Sequence, residues 1–250
     1  MIAFLTSSPF REDVDRPTFS NLNGFVDRIR GCLPPNPRCL YICSEPTRTD
    51  MNCYYGADMF MAFANSGIHF SAYQVLDGHN AHQATQLVEE ANLVILTGGH
   101  VPTQNAFFQK IGLRELLQNY PGVVMGISAG SMNSADVVYS QPEEPGESDP
   151  AFARFLPGLG LTTVQVLPHY QKVRNMRVDG LRLYEDITYA DSMGHTFYAL
   201  PDFSYIVDDG CFATLFGEGY RIHNGILERL TSHGDVLRIK VICQTKCNTF

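Results

Sequence analysis

Residues 123–132 read VVMGISAGSM, and this stretch decides how the rest of the chain is interpreted. An apolar strand runs into the pattern Gly-x-Ser-x-Gly, and a segment able to form a helix follows, which is the context of a nucleophile elbow. The serine of such an elbow sits on a sharp strand-to-helix turn, where side chains two residues before and after it would collide. Gly126 and Gly130 occupy those two places. The pattern therefore predicts Ser128 as a nucleophile, against the alternative of a glycine-rich turn with a bystander serine.

Two backbone segments could stabilise the oxyanion that forms when such a serine attacks a carbonyl. The predicted helix beginning at Ala129 offers free N–H groups and the positive end of its dipole. The buried run at 92–97 ends in Gly98 and Gly99, whose backbone can approach a ligand closely. One of these glycines could complete an oxyanion hole with Ala129, although an ordinary turn into a helix explains them equally well.

A nucleophilic serine needs a base, and the base needs an acid that orients it. His169 ends the strand-like apolar run that begins at Thr163, and Asp202 ends another such run, so both could lie where an α/β sheet builds its site. Their order, with Ser128 first, then His169, then the acid, differs from the α/β-hydrolase order, in which the histidine comes last. The alternative acids are Glu143, Glu144 and Asp136.

The chain alternates predicted strands with predicted helices. Short apolar runs predict strands at 1–6, 38–43, 70–76, 92–97 and 122–127, and helical spacing predicts helices at 54–65 and 84–91. This order is typical of an α/β fold with a mostly parallel sheet covered on both faces. From Tyr205 onward, glycine-containing turns at 208–210, 217–219, 223–225 and 233–235 predict a C-terminal antiparallel β section. We expect residues 1–250 to form a single domain.

Composition excludes several classes of protein. With 250 residues, 44% of them hydrophobic and 18% charged, the chain is globular, and its net charge of −8 argues against nucleic-acid and anionic-membrane partners. No run reaches the roughly 18 to 20 apolar residues of a membrane span, and the N-terminus is typical of a first strand and not of a signal peptide. The seven cysteines are odd in number and lack a C-x-x-C pair, which predicts free thiols in a cytoplasmic protein. Whether it forms a homodimer is left open.

Four segments together resemble the peptidase E and cyanophycinase family of serine peptidases. They are LTGGH at 96–100, GISAG at 126–130, PHY at 168–170 and LPD at 200–202. The similarity spans most of the chain, from the first strand to about Glu228. It implies a three-layer α/β sandwich of the class I glutamine amidotransferase-like (flavodoxin-like) type. It also implies an enzyme that hydrolyses small peptides without a metal or other cofactor.

The resemblance also assigns roles to individual residues. It implies that Ser128 is the nucleophile and His169 the base, with the N–H groups of Gly99 and Ala129 as oxyanion donors. Asp202 stands where peptidase E has a glutamate after Leu-Pro.

Other positions depart from the relatives or stay as alternatives. Glu143 falls near an acidic position sometimes assigned to the relay, so it is kept as the alternative acid. His100 follows the two glycines where peptidase E has asparagine, and it is a candidate substrate contact. Glutamine amidotransferases have a cysteine nucleophile and a glutamate two residues after the histidine; Ser128 and Gln171 stand in those places and speak against an amidotransferase.

The charge pattern suggests a substrate preference. Four of the 18 bases lie within an eleven-residue span just after His169, at Lys172, Arg174, Arg177 and Arg182. Arg174 and Arg177 would share one face of a helix. Arg177 is similar to an arginine of peptidase E, which prefers N-terminal aspartate, and an arginine can bind a substrate carboxylate with two hydrogen bonds. A solvated helix face is the alternative.

Two further polar segments are open to more than one interpretation. Asp77, His79 and His82 have donor types that metals use, but a polar loop leading into the next helix explains them, so no metal is predicted. The acidic, proline-rich segment Ser140–Pro150 is a candidate flap over the site.

The function that these observations favour is that of a serine exopeptidase, dipeptidase-like, with a small peptide as its substrate and partner. An amidase or esterase on the same fold is one alternative. A regulatory protein that has lost catalysis is the other.

Overall fold

The computed structural model describes residues 1–239 and contains a mixed sheet of eight strands. Five strands run parallel, in the spatial order β1, β5, β4, β2, β3. They are β1 (Ile2–Thr6), β2 (Arg38–Ile42), β3 (Ala72–Leu76), β4 (Leu93–Leu96) and β5 (Val123–Ile127). β4 and β5 are buried along their whole length, as a sheet covered on both faces requires. The predicted α/β fold with a mostly parallel sheet is confirmed.

Helices connect these strands, as the helical spacing predicted. They are α1 (Phe25–Cys32), α2 (Thr49–Asn65), α3 (Ala84–Glu90), α4 (Val101–Lys110), α5 (Leu113–Leu117), α6 (Ala129–Asn133), α7 (Tyr170–Val173) and α8 (Tyr189–Asp191). Short 3-10 turns cover Leu22–Gly24 and Ala81–Gln83, and a π-helical turn covers Leu183–Thr188. The helix predicted at 54–65 is longer than expected, because α2 begins at Thr49.

The C-terminal strands are antiparallel, as predicted, but only the turns at 208–210 and 223–225 join paired strands, whereas those at 217–219 and 233–235 connect two different sheets. Three of these strands extend the main sheet beside β1: β12 (Tyr205–Asp208), β13 (Ala213–Phe216) and β16 (Val236–Ile239). Two others, β14 (Gly219–His223) and β15 (Ile226–Thr231), join a second sheet, in the order β15-β14-β11-β8. The other members of that sheet are the parallel pair β8 (Gln165–Leu167) and β11 (Thr196–Ala199). Two small hairpin-like pairs complete the strands: β6 (Val137–Tyr139) with β7 (Phe155–Pro157), and β9 (Arg177–Val178) with β10 (Leu181–Arg182).

The second sheet packs against one face of the main sheet. Along β1, Phe4 belongs to the largest hydrophobic cluster, whereas its neighbours Ala3 and Leu5 belong to another. That other cluster also contains Val166 of β8 and Leu200, which directly follows β11. Since side chains of a strand alternate between its faces, one face of β1 is covered by the second sheet. This packing brings the carboxyl ends of β8 and β11 close to the carboxyl end of β5.

The five cysteines among residues 1–239 carry free thiols, and Cys243 and Cys247 lie outside the described residues. Burial raises the pKa of the Cys43 thiol to about 12, so it stays protonated and unreactive at neutral pH. None of the helices in the described part of the chain is both long and apolar enough to cross a membrane.

Candidate active site

Ser128 occupies a strained turn between β5 and α6. Its backbone angles are φ 50° and ψ −114°, a conformation that residues other than glycine rarely adopt. Two carbonyl groups at the end of β1 hold the turn: the Ser128 N–H donates to Thr6 O at 3.0 Å and to Ser7 O at 3.1 Å. The strain therefore persists because the neighbouring strand fixes the backbone on both sides of the serine.

The two glycines of the elbow are needed for close backbone packing. A Cβ atom on Gly126 would lie 2.7 Å from the Cα of Ser131, inside α6. A Cβ atom on Gly130 would lie 2.0 Å from the carbonyl oxygen of Leu96, at the end of β4. The predicted steric reason thus holds, but the collisions are with α6 and with the neighbouring strand, and neither is with Ser128 itself.

Gly130→Ala is expected to destabilise the protein by about 2 kcal/mol or more, because the added methyl group meets a backbone carbonyl that cannot move away. Urea unfolding followed by circular dichroism would measure this loss. Gly31→Ala is the matched control: Gly31 lies in α1 with nothing within 4 Å of an added Cβ, so its unfolding midpoint should stay level or rise. Equal midpoints for the two variants would contradict the packing argument.

His169 and Asp202 form a hydrogen-bonded pair in the structure. His169 lies two residues after β8, and Asp202 lies three residues after β11, which is its parallel neighbour. The His169 Nδ1 and Asp202 Oδ1 atoms are 2.7 Å apart. Among residues 1–239, none of the alternative acids Glu143, Glu144 and Asp136 hydrogen-bonds to His169, and Asp136 instead pairs with Arg114 at 2.7 Å.

Three residues surround this pair through contacts that the sequence did not predict, and Ser7 is the one that sequence reasoning missed altogether. The Ser7 hydroxyl donates to Asp202 Oδ1 at 2.8 Å and accepts the His169 N–H at 2.7 Å. Gln171 donates to Asp202 Oδ2 at 2.7 Å and accepts the Asp202 N–H at 3.1 Å, while Lys172 Nζ lies 3.0 Å from the same Oδ2. Ser7 follows an apolar strand, and that position at the carboxyl end of a parallel strand is the one signal that could have identified it.

This surrounding network keeps Asp202 ionised. Burial alone would raise the pKa of the Asp202 carboxyl, but the hydrogen bonds from His169, Lys172 and Ser7 outweigh it and hold that pKa well below its ordinary value. A carboxylate is therefore present beside the imidazole throughout the neutral pH range.

Two cavities meet at Ser128 and His169. The large cavity has a volume of about 730 Å³ and lies on the α2 side, where Gly98 and Gly99 also line it. The small cavity has a volume of about 320 Å³ and lies on the opposite side, lined in part by His100 and Glu143. Ser128, His169 and Gly99 line both cavities, so a peptide crossing the serine could place its two halves on either side.

The backbone near Ser128 leaves N–H groups free. Within residues 1–239, the N–H groups of Gly99 and Ala129 make no hydrogen bond to the protein. A Cβ atom on Gly99 would lie 2.3 Å from the Ser44 hydroxyl, so only glycine fits this loop. In this same part of the chain, the side chains of Ser128 and His169 form no hydrogen bond to each other. Such catalytic hydrogen bonds are often formed only when substrate is bound.

His100 and the segment Ser140–Pro150 form a connected wall of the small cavity. The His100 Nε2 atom lies 2.7 Å from Glu147 Oε1, and Glu147 Oε2 accepts the N–H groups of Glu143 at 2.8 Å and Glu144 at 3.0 Å. Arg154 also donates to the Glu147 carbonyl. These contacts anchor the segment from inside, and its role as a flap stays a prediction.

The acidic groups of this wall do not require a metal. Donor atoms of His100, Glu144 and Glu147 lie within 4.8 Å of one another, close enough for a cation. However, both oxygens of Glu147 are already hydrogen-bonded, which explains the cluster without one. Burial raises the pKa of the Glu143 carboxyl, His100 opposes that shift, and the charge of Glu147 adds to it.

Arg177 does not lie where the helical prediction placed it. It begins the two-residue strand β9, so it shares no helix face with Arg174, and that prediction is wrong. Its guanidinium donates to the Gly180 carbonyl at 2.7 Å. The glycine at 180 and the aspartate at 179, both with positive φ, favour a tight turn here instead of a helix. Arg177 is not among the residues that line either cavity.

Comparison with known proteins identifies the family. The model of peptidase family S51 matches residues 18–210. A peptidase from an acI-B1 Actinobacterium has a similar structure, with a TM-score of 0.61 and 17% identity over 95% of this chain and 96% of that one. A candidate peptidase E protein from Listeria monocytogenes EGD-e gives a TM-score of 0.55 and 16% identity over 92% of this chain and 98% of that one.

At these identities the two structures show a shared fold alone, and no curated protein matches the sequence. The family model, in contrast, covers most of the chain and includes both Ser128 and His169. The resemblance to peptidase E is thus confirmed, and this chain belongs to peptidase family S51.

Proposed function

We propose that this S51 peptidase is a serine peptidase that acts on short peptides, in the manner of a dipeptidase. The observation that carries the proposal is the 2.7 Å pair of His169 and Asp202 beside a cavity that is also lined by Ser128 on its strained elbow. A hydroxyl, an imidazole and a carboxylate in this relation are the parts that nucleophilic acyl transfer requires.

The proposed reaction begins with attack of Ser128 Oγ on the peptide carbonyl carbon while His169 Nε2 accepts the hydroxyl proton. The carbonyl oxygen becomes an oxyanion, which the free N–H groups of Gly99 and Ala129 stabilise by hydrogen bonds. His169 then gives its proton to the leaving amine, the C–N bond breaks, and an ester to Ser128 remains. Water, activated by the same imidazole, hydrolyses this ester and restores the serine.

Asp202 acts through His169 in this mechanism. Its Oδ1 accepts from Nδ1–H of the imidazole, which leaves Nε2 free to take the serine proton. Its negative charge stabilises the imidazolium that forms on proton transfer. The hydrogen bonds from Ser7 and Gln171 hold the carboxylate in place, so the imidazole keeps one orientation through the reaction.

The walls of the small cavity support action at a peptide N-terminus. Its charged lining residues are the carboxylates Glu143 and Glu144, with His100 next to them, and no lysine or arginine from residues 1–239 lines it. Such a wall attracts an α-ammonium group by charge. A substrate aspartate side chain would be repelled by these carboxylates, and Arg177 does not line the cavity to offset their charge. The geometry therefore favours peptides with a free α-amine whose first residue is not aspartate.

A screen of dipeptides tests this function. We expect dipeptides with a free amine to be cleaved, and their N-acetyl forms to lose about tenfold or more in kcat/KM, as when a site's charge partner is removed. Peptides with N-terminal alanine should exceed those with N-terminal aspartate.

Each other outcome of the screen points to a different class. Equal cleavage of blocked and free peptides would contradict exopeptidase action. Hydrolysis confined to p-nitrophenyl esters would indicate an esterase. Absence both of turnover and of labelling by a fluorophosphonate would favour a regulatory protein.

A further inference from the structure

We propose that the large cavity is a subsite for a large apolar side chain of the substrate, aromatic or long aliphatic, on a residue next to the scissile bond. This proposal rests on the serine peptidase function and gives it a substrate class. The family resemblance suggests a preference for an acidic substrate residue, but the mostly apolar lining of this cavity favours an apolar one.

The walls of the large cavity are mostly apolar, and the apolar residues come from four parts of the chain. α2 supplies one wall, β2 and β5 supply the floor, and the loop after β1 supplies the edge. The apolar residues are Phe10, Pro17, Tyr41, Met51, Tyr55, Met59 and Ile127. Tyr41, Met59 and Ile127 are each no more than 6% exposed, so the floor is continuous with the hydrophobic core. An apolar side chain that fills this space would remove its own surface and that of the floor from water.

The size of the cavity favours a bulky group. Its volume of about 730 Å³ is more than twice that of the small cavity, and it lies within the range of roughly 300 to 1,000 Å³ typical of small-ligand pockets. A glycine or alanine side chain would leave nearly all of this space empty. Because Gly98, Gly99, Ser128 and His169 close one end, the residue whose side chain enters lies beside the attacked carbonyl.

Charged groups lie at the mouth of the large cavity and not at its floor. Arg48 is exposed, whereas Glu45 and Asp58 are half-buried. The two buried polar residues of the lining carry no charge: the Asn52 amide donates to the Glu45 carbonyl at 2.9 Å, and Thr97 offers one hydroxyl, which has no hydrogen-bond partner within residues 1–239. A charged substrate side chain reaching the floor would therefore lose water without gaining a partner of opposite charge, which opposes its entry.

The test uses two series of dipeptides, Ala-X and X-Ala, with X as glycine, alanine, leucine, phenylalanine, aspartate or lysine. In one of the two series, we expect kcat/KM for phenylalanine and leucine to exceed that for glycine by about tenfold or more, as apolar pockets discriminate by size. Aspartate and lysine in the same position should be no better than glycine.

Variants of α2 connect that preference to the cavity. Met51→Glu places a charge in the apolar wall and is expected to reduce the phenylalanine-to-glycine ratio of kcat/KM about tenfold, chiefly through KM. Met61→Glu is the matched control, because Met61 lies on the same helix, is 44% exposed and lines neither cavity. It should leave all the ratios unchanged. Tyr55→Ala, at a half-exposed position that tolerates truncation, is a second variant expected to lower the ratio if Met51→Glu misfolds.

Labelling of Ser128 by a fluorophosphonate, measured in parallel, distinguishes failure of the subsite proposal from failure of the peptidase function. Labelling and turnover without any size preference in either series would overturn the subsite. A size preference that Met51→Glu and Tyr55→Ala leave unchanged would overturn its location. A wild-type protein that is neither labelled nor active on any peptide would overturn the peptidase function and this subsite with it.

Discussion

Ser128→Ala is expected to abolish peptide hydrolysis, lowering kcat by about 10⁴- to 10⁶-fold, as removal of the nucleophile does in other serine hydrolases. The reason is that no other hydroxyl in the elbow can attack: the Ser131 hydroxyl is buried and donates to the Thr6 carbonyl at 2.8 Å. The measurement is steady-state cleavage of the best dipeptide, together with labelling by a fluorophosphonate probe. The substitution keeps the Cβ atom, so it should not relieve the strained φ of 50° or unfold the turn.

Ser232→Ala controls for effects of removing any serine hydroxyl. Ser232 is exposed in a turn between β15 and β16, outside the lining of both cavities, and its variant should be labelled and active like the wild type. Persistent labelling of Ser128→Ala would show that another residue reacts, and the assignment of the nucleophile would then be wrong.

Asp202→Asn is expected to lower kcat by about 10⁴-fold, the loss seen when the orienting carboxylate of a triad becomes an amide. An asparagine can donate to Nδ1 and so favours the tautomer whose Nε2 carries the proton, which cannot act as a base toward Ser128. The loss of negative charge also removes the partner of the imidazolium. KM should change much less than kcat, because Asp202 lines neither cavity.

Glu143→Gln is the decisive comparison, since Glu143 is the alternative acid. The Glu143 side chain lines the small cavity, whereas the structure joins His169 to Asp202. We therefore expect Glu143→Gln to reduce kcat by less than about tenfold, with its main effect on KM for peptides with a free amine. A collapse of kcat in this variant, with Asp202→Asn nearly active, would reverse the assignment. Urea unfolding of both proteins checks that neither loss reflects instability.

Much of the fold could be predicted because its signals are local. The apolar runs that became β1, β2, β4 and β5 each contain three or more consecutive apolar residues, which favours burial on both faces. The Gly-x-Ser-x-Gly pattern was equally local as a signal, although only the collision at Gly126 lies within five residues, because a Cβ on Gly130 would meet the Leu96 carbonyl of the neighbouring strand. His169 and Asp202 were identifiable as polar residues at strand ends, but their pairing was not.

Arg177 shows where local reasoning fails. The spacing of three residues favoured a shared helix face with Arg174, and residues 170–182 contain no proline that would break such a helix. Instead, the turn at Asp179 and Gly180 allows β9 and β10 to pair, and it redirects the arginine to a backbone carbonyl. A two-residue strand pair gains its stability from the surrounding structure, which a periodicity argument does not contain.

By itself, the sequence determined the parallel strands and the turn that carries Ser128, since their signals lie in residues near one another along the chain. Only the tertiary structure decided which acid meets His169, because Ser7, His169 and Asp202 are brought together from positions up to 195 residues apart. The same packing of the second sheet on β1 decided that the two cavities meet at the serine. Contacts of this kind depend on how whole sheets stack, and that arrangement minimises the exposed apolar surface of the entire chain and not of any one segment.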